Sequence, residues 1–97
     1  MRISAYEKDT IIKAVEAVDP SAKIWLFGSR ADDSKKGGDI DIAILSKAID
    51  TDILQKIKIR RDICDKIGDQ QIDILTSQNG EEPFFKLAQA NGRALNE

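Results

Sequence analysis

Three aspartates in two similar apolar segments are the residues of this chain with the clearest capacity for chemistry. Asp39 and Asp41 open the run Asp-Ile-Asp-Ile-Ala-Ile-Leu, and Asp73 lies between two isoleucines further along the chain. Because side chains alternate between the two faces of a strand, Asp39 and Asp41 share one face and the isoleucines share the other. If the segment around Asp73 forms a neighbouring strand, we expect its carboxylate to join the pair.

Such a cluster needs a cation. Three carboxylates within about 5 Å of one another would repel by roughly 3 kcal/mol per pair at an effective dielectric constant near 20. Hard oxygen ligands favour Mg²⁺, with Mn²⁺ as an alternative, and the chain contains no His that would suit zinc or copper. A turn of phosphate size, Gly28-Ser29, precedes the aspartates by about ten residues. The combination predicts a site for a metal and a nucleotide.

The elements that must position these residues follow from hydrophobic periodicity and from turn residues. Helical spacing predicts a helix over residues 4–18, and a short apolar run ended by Gly28 predicts a strand over 23–27. A short helical turn and a loop are expected over 30–38, where Lys35 and Lys36 lie. The remaining predictions are a strand over 39–45, a helix over 50–67, a strand over 71–75 and a helix that starts at Glu81-Glu82-Pro83. The order predicts an α/β layer with helices on one face of a small sheet and the carboxylates on the other.

The same patterns predict which side chains are buried. The apolar positions of the second long helix are Ile53, Leu54, Ile57, Cys64 and Ile67, with Ile63 flanking, and those of the last helix are Phe84, Leu87, Ala88 and either Ala94 or Leu95. We expect Trp25 and Phe27 to pack in the core rather than to stack on bases. Arg60 and Arg61 are expected to form a solvated helix face.

Composition restricts the class of protein. The chain has 97 residues, which we interpret as one domain over 1–97, and a formal net charge of -2. That charge gives no bulk attraction to nucleic acid or to an anionic membrane, so direct binding of either is not expected. The only cysteine, Cys64, cannot form an internal disulfide, and no apolar run is long enough to span a membrane. We therefore expect a cytoplasmic protein.

The motif residues resemble the nucleotidyltransferase superfamily that shares the DNA polymerase β palm, and within it the minimal nucleotidyltransferases often paired with HEPN-domain toxins. That signature is Gly-Ser, about ten residues, Asp-x-Asp and a third acidic residue on a later strand, matched here by Gly28, Ser29, Asp39, Asp41 and Asp73. The resemblance covers nearly the whole chain. It implies a small α+β, palm-like fold with a mixed sheet.

The resemblance also implies a reaction, in which a nucleoside monophosphate passes from a triphosphate, ATP in the first instance, to a hydroxyl. Asp39 and Asp41 would bridge two Mg²⁺ ions, and Asp73 would bind the ion on the nucleophile side and accept the proton. The backbone at Gly28 and the hydroxyl and amide of Ser29 would contact the phosphates. Arg30, Lys35 or Lys36 would add charge-assisted contacts, and Arg30 could instead form a surface ion pair.

Three hypotheses for the function differ in what the acceptor of the nucleotide is. In the first, the chain is an antitoxin that transfers AMP to a tyrosine of a HEPN-type toxin. Larger relatives carry additional domains that hold the acceptor. We expect no such domain within these 97 residues, so a partner protein would supply the acceptor. In the second, the chain is a binding module that neutralises the toxin by occlusion and does no chemistry. In the third, it is a small-molecule nucleotidyltransferase completed by another subunit.

Overall fold

The computed structural model describes residues 3–31, 38–49 and 53–96, with the side chain of Ser29 outside this description. The elements in chain order are α1 (Ala5–Glu16), β1 (Lys23–Phe27), a 3₁₀ turn (Gly28–Ala31), β2 (Ile40–Leu45), α2 (Ile53–Ile67), β3 (Ile72–Ser77), α3 (Pro83–Asn91) and β4 (Arg93–Ala94). Every predicted helix and strand is present within a few residues of its expected bounds, and β4 is additional. Residues 32–37 of the predicted turn and loop, and residues 50–52 of the predicted second helix, lie outside the described residues. Within these described ranges, no helix has the length and apolar character needed to cross a membrane.

Local signals account for the helix ends. Ser4 caps α1 through a capping box, in which the Ser4 hydroxyl accepts from the Glu7 amide at 3.0 Å and the Glu7 carboxylate accepts from the Ser4 amide at 2.8 Å. The Ser4 amide holds the pKa of Glu7 below its ordinary value. Pro83 begins α3, where a missing N–H costs nothing.

The four strands form one mixed sheet in the order β3-β2-β1-β4. β1 is antiparallel to both β2 and β4, whereas β2 and β3 are parallel and are joined through α2. The C-terminal segment extends the edge beside β1: the Leu95 amide donates to the Ile24 carbonyl at 2.8 Å, and the Asn96 side chain accepts from the Ile24 amide and donates to the Ala22 carbonyl. The sheet is therefore closed at this edge by residues that carry no strand pattern of their own.

The main core lies between α1, α2 and one face of the sheet. Its fully buried members come from both helices and from the isoleucine face of the strands: Ile11, Val15, Ile24, Leu26, Ile40, Ile42, Ile44, Ile59, Ile63 and Ile72. Burial of an isoleucine side chain stabilises the fold by about 1.5–3 kcal/mol. Cys64 is partly buried against this core, as expected, and its thiol lies 3.7 Å from the Gln70 carbonyl.

The opposite face of the sheet is covered in part by α3. The prediction that the helices lie on one face is therefore right for α1 and α2 and wrong for α3. Phe85 and Ala88 pack on Ala43 in a second, smaller cluster, with Trp25 and Phe27 partly buried against it. The rings of Trp25 and Phe85 meet edge to face with centroids 6.0 Å apart. Trp25 and Phe27 thus pack in a core, as predicted.

Two helix faces differ from the prediction. In α2 the buried residues are Ile59 and Ile63, while Ile53, Leu54 and Ile57 are exposed; in α3 they are Phe85 and Ala88, while Phe84 and Leu87 are exposed. The predicted last helix also ends earlier, at Asn91, so that Ala94 lies in β4 and Leu95 is buried beyond it. Arg60 is half-buried and donates from Nε to the Ile72 carbonyl at 2.9 Å, whereas Arg61 is solvated as expected.

Candidate active site

The parallel ladder between β2 and β3 places two of the predicted carboxylates side by side. Asp41 pairs with Asp73 in the register, as Ile40 pairs with Ile72 and Ile42 with Ile74. Because the isoleucines face the main core, both carboxylates point away from it, at the end of the sheet where β1 terminates. The Ile-Asp-Ile pattern of each strand is the sequence signal that fixes this arrangement.

The electrostatics reflect the pairing of the two carboxyl groups in the register. Partial burial, a hydrogen bond between Asp41 and Asp73, and the charges of Asp73 and Asp39 all raise the pKa of Asp41, to about 6. The side-chain amide of Gln71 donates from Nε2 to Asp73 Oδ1 at 3.3 Å, which fixes one oxygen of that exposed carboxylate. Negative charge is therefore concentrated at this end of the sheet, as a cation site requires.

Asp39 differs from the other two aspartates. β2 begins at Ile40, so Asp39 lies one residue before the strand, and the Ile40 amide that follows it donates to the Gln71 carbonyl at 3.0 Å. Its charge reaches Asp41 more weakly than that of Asp73. In the described ranges, no three acidic, Cys or His side chains are arranged as a ready-made metal site. The structure brings Asp41 and Asp73 together and places Asp39 at the edge of the pair.

Gly28 lies directly against Asp41. Phe27, the last residue of β1, is the antiparallel partner of Asp41, and the chain then turns at Gly28 with a φ of 70°. A Cβ at Gly28 would overlap Asp41 Oδ2 and lie 3.2 Å from Asp41 Cγ. Both the positive φ and the lack of space explain why this position holds glycine. The Gly-Ser turn and the carboxylates are therefore parts of one site.

The other predicted contacts at the turn have different outcomes. The backbone of Ser29 lies in the 3₁₀ turn, but its side chain is outside the described part of the structure, as are Lys35 and Lys36. Arg30 donates from Nε to the Gly38 carbonyl at 3.2 Å and from a terminal nitrogen to the Gln70 side chain at 3.4 Å. Arg30 thus links the turn to the segments that precede β2 and β3. A phosphate contact by Arg30 stays a prediction.

Asp19, at the other end of the sheet, is a buried aspartate with a structural role and provides a comparison for Asp41. Asp19 accepts hydrogen bonds from the Ser46 hydroxyl and from both the hydroxyl and amide of Ser21. These bonds, that from Ser46 foremost, hold the pKa of Asp19 below its ordinary value. Asp19 is a satisfied structural group, whereas Asp41 faces other carboxylates, and only Asp41 has the environment typical of a functional carboxylate.

Comparison with known proteins agrees with this geometry. No curated protein matches the chain. Residues 9–97 match the family described as "Polymerase beta, Nucleotidyltransferase", and this range contains the Gly-Ser turn and all three aspartates. The small α+β fold with its mixed sheet is consistent with that family, which confirms the superfamily and the fold class predicted from the sequence. The chain therefore belongs to the polymerase β-like nucleotidyltransferase family.

Proposed function

We propose that this nucleotidyltransferase transfers a nucleoside monophosphate, AMP from ATP, to a hydroxyl on a partner protein and releases pyrophosphate. The acceptor we propose is a tyrosine of a HEPN-type toxin, so that the chain acts as an antitoxin. The observation that carries the transferase chemistry is the pairing of Asp41 with Asp73 directly beside Gly28. The protein acceptor is supported by the resemblance to minimal nucleotidyltransferases.

The donor chemistry of the residues present fits a divalent metal, with Asp41 and Asp73 paired in the sheet and Asp39 at the edge of the pair. The carboxylates of Asp39, Asp41 and Asp73 offer only hard oxygen ligands. Burial, and then the neighbouring carboxyl groups, raise the pKa of Asp41, and a bound cation would favour its ionised form. These three residues would hold Mg²⁺, and Mn²⁺ would also fit. Bound ions would lower the pKa of the acceptor hydroxyl and neutralise charge on the triphosphate.

The chain's own groups have distinct roles in this proposal. The absence of a side chain at Gly28 leaves room for the Asp41 carboxylate against the turn. The backbone amides of that turn would donate hydrogen bonds to the phosphate oxygens. Asp73 is exposed and accepts the proton of the attacking hydroxyl. The oxygen of that hydroxyl forms a bond to the α-phosphorus as the bond to pyrophosphate breaks. Loss of Asp73 should therefore reduce the rate more than nucleotide binding.

A protein partner would also account for apolar surface away from the site. Ile53 and Leu54, at the start of α2, are 66% and 69% exposed. Contiguous exposed apolar patches are typical of protein interfaces, and these two adjacent side chains would contribute to one. They lie on a helix of the main core, on the face of the sheet opposite the carboxylates, so the acceptor tyrosine must come from a part of the partner that extends beyond this contact.

The proposal is tested by the intact mass of the protein that co-purifies with this chain, before and after incubation with Mg²⁺ and ATP. The comparison uses the parent, the Asp39→Asn/Asp41→Asn double variant, and Asp65→Asn as a control on the exposed surface of α2. We expect the partner to gain AMP with the parent and the control only. A partner of unchanged mass, although ATP binds, would favour occlusion; modification of a small molecule instead would favour a transferase completed by another subunit.

A further inference from the structure

An exposed apolar flank of α3 lies beside the candidate active site. Phe84 and Leu87 are 62% and 57% exposed, and they are three residues apart, so they neighbour each other on one side of the helix. The side of α3 that packs on the sheet is provided by Phe85 and Ala88. Phe84 and Leu87 therefore lie outside the buried contact between α3 and the sheet.

Contacts connect this flank to the carboxylates. The rings of Phe84 and Phe27 meet edge to face, with centroids 6.4 Å apart. Phe27 is the cross-strand partner of Asp41 and lies on the same face of the sheet, and the next residue, Gly28, contacts the Asp41 carboxylate. α3 also contacts the 3₁₀ turn. The order along the surface is carboxylates, Phe27 and Phe84.

We propose that Phe84, with Leu87 beside it, forms the surface on which the nucleobase of the bound nucleotide stacks. This inference rests on the proposed nucleotidyltransferase function. A nucleotide whose phosphates lie at Gly28 and Asp41 has its base within reach of the adjacent apolar surface, and that surface is aromatic where it joins the site. The edge-to-face contact with Phe27 orients the Phe84 ring while leaving most of it exposed.

The chemistry of this surface also predicts its selectivity. Stacking on an aromatic ring tolerates any base, because every base has a π-face. Neither Phe84 nor Leu87 offers a hydrogen bond to a base edge. We therefore expect this surface to add affinity for nucleoside triphosphates in general and to discriminate little between ATP and CTP.

The test compares the binding of Mg²⁺-ATP, Mg²⁺-CTP and Mg²⁺-tripolyphosphate by titration calorimetry. The proteins are the parent, Phe84→Ala, Phe84→Trp and a control, Ile53→Ala, which removes an equally exposed apolar side chain on α2. For Phe84→Ala we expect affinity for both nucleotides to fall about 5- to 150-fold. Tripolyphosphate, which has no base, should bind unchanged, and Phe84→Trp and Ile53→Ala should bind nucleotides at least as well as the parent.

The outcomes separate this inference from the function on which it rests. Unchanged nucleotide affinity in Phe84→Ala, while the parent binds ATP, would overturn the stacking surface and leave the transferase proposal intact. An equal loss for nucleotides and tripolyphosphate would also overturn it, because the effect would then be a general disturbance of the site. A parent that binds none of the three ligands would overturn both proposals.

Discussion

Replacing Asp41 with asparagine should make the metal-free protein more stable at neutral pH. Partial burial and two neighbouring carboxyl groups raise the pKa of Asp41 from an ordinary value of 3.8 to about 6. Ionised Asp41 is therefore disfavoured in the folded state, and asparagine removes that charge while keeping the shape of the side chain. The expected gain in the free energy of unfolding is larger at neutral pH than at acidic pH, because the pKa of Asp41 is higher in the folded protein than in the unfolded chain.

Between about pH 4 and pH 6 the folded protein holds a proton on Asp41 that the unfolded chain has released. The stabilising contribution of that proton is complete below pH 3.8 and is lost as the pH rises through about 6. The difference between the two pKa values corresponds to about 3 kcal/mol at full strength. Because Asp41 is only partly buried, solvent screening reduces this to roughly 1–2 kcal/mol.

The assay is urea unfolding of the parent, Asp41→Asn and the control Asp65→Asn at pH 4, 5, 6 and 7.5, with EDTA present. We expect the advantage of Asp41→Asn in the free energy of unfolding to be near zero at pH 4 and to reach its maximum above pH 6. The control should show no such rise. An advantage that does not change with pH, or an Asp41→Asn variant less stable than the parent at pH 7.5, would refute the assignment of Asp41 to a crowded acidic cluster.

Two further predictions concern the turn and the ligands. Gly28→Ala should destabilise the protein by more than Gly68→Ala. Both glycines have a positive φ, which costs an alanine roughly 1–2 kcal/mol, but only at Gly28 does the new Cβ overlap a carboxylate. Equal losses of the free energy of unfolding in urea would contradict this. Mg²⁺-ATP at 100 times its Kd should raise the free energy of unfolding by about 2.7 kcal/mol, or the Tm by roughly 10–20 °C. The Asp39→Asn/Asp41→Asn variant should show no rise, and a parent without one at millimolar ligand would count against a nucleotide site.

Local patterns were sufficient to predict most of the fold. β1 was predicted with its observed bounds because an apolar run ends at a glycine, and the start of α3 followed from Pro83. The buried face of α3 was not predictable in the same way, because Phe84 and Phe85 are adjacent and Leu87 and Ala88 are adjacent, so helical spacing permits either face. Burial of Phe85 is decided by Ala43 and Trp25, which lie on strands far away in the sequence.

The candidate site, like the fold, was predictable where it depends on the pattern within one segment and not where it depends on contacts between segments. Alternation within each strand predicted that Asp41 and Asp73 would lie on the non-isoleucine face, and this is confirmed. The parallel register that makes them direct partners depends on how α2 connects the strands, and the close approach of Gly28 to Asp41 depends on the pairing of β1 with β2. Neither is visible in a single segment. The same is true of Phe84, whose place beside the site follows from how α3 crosses the sheet.

The three aspartates are held in place by different contacts, so we expect substitutions elsewhere in the chain to shift their positions to different extents. Backbone hydrogen bonds of the central sheet fix Asp41 and Asp73, whose positions are as stable as the ladder itself. Asp39 follows Gly38, whose carbonyl is held by Arg30, and Arg30 also binds the side chain of Gln70 just before β3. We therefore expect Arg30 to help position Asp39, together with the backbone hydrogen bond from the Ile40 amide to the Gln71 carbonyl, which links the same two segments. Two carboxylates of the site thus lie within strands of the sheet. The third lies just outside β2, where the backbone hydrogen bond from Ile40 and the side chain of Arg30 both hold the chain.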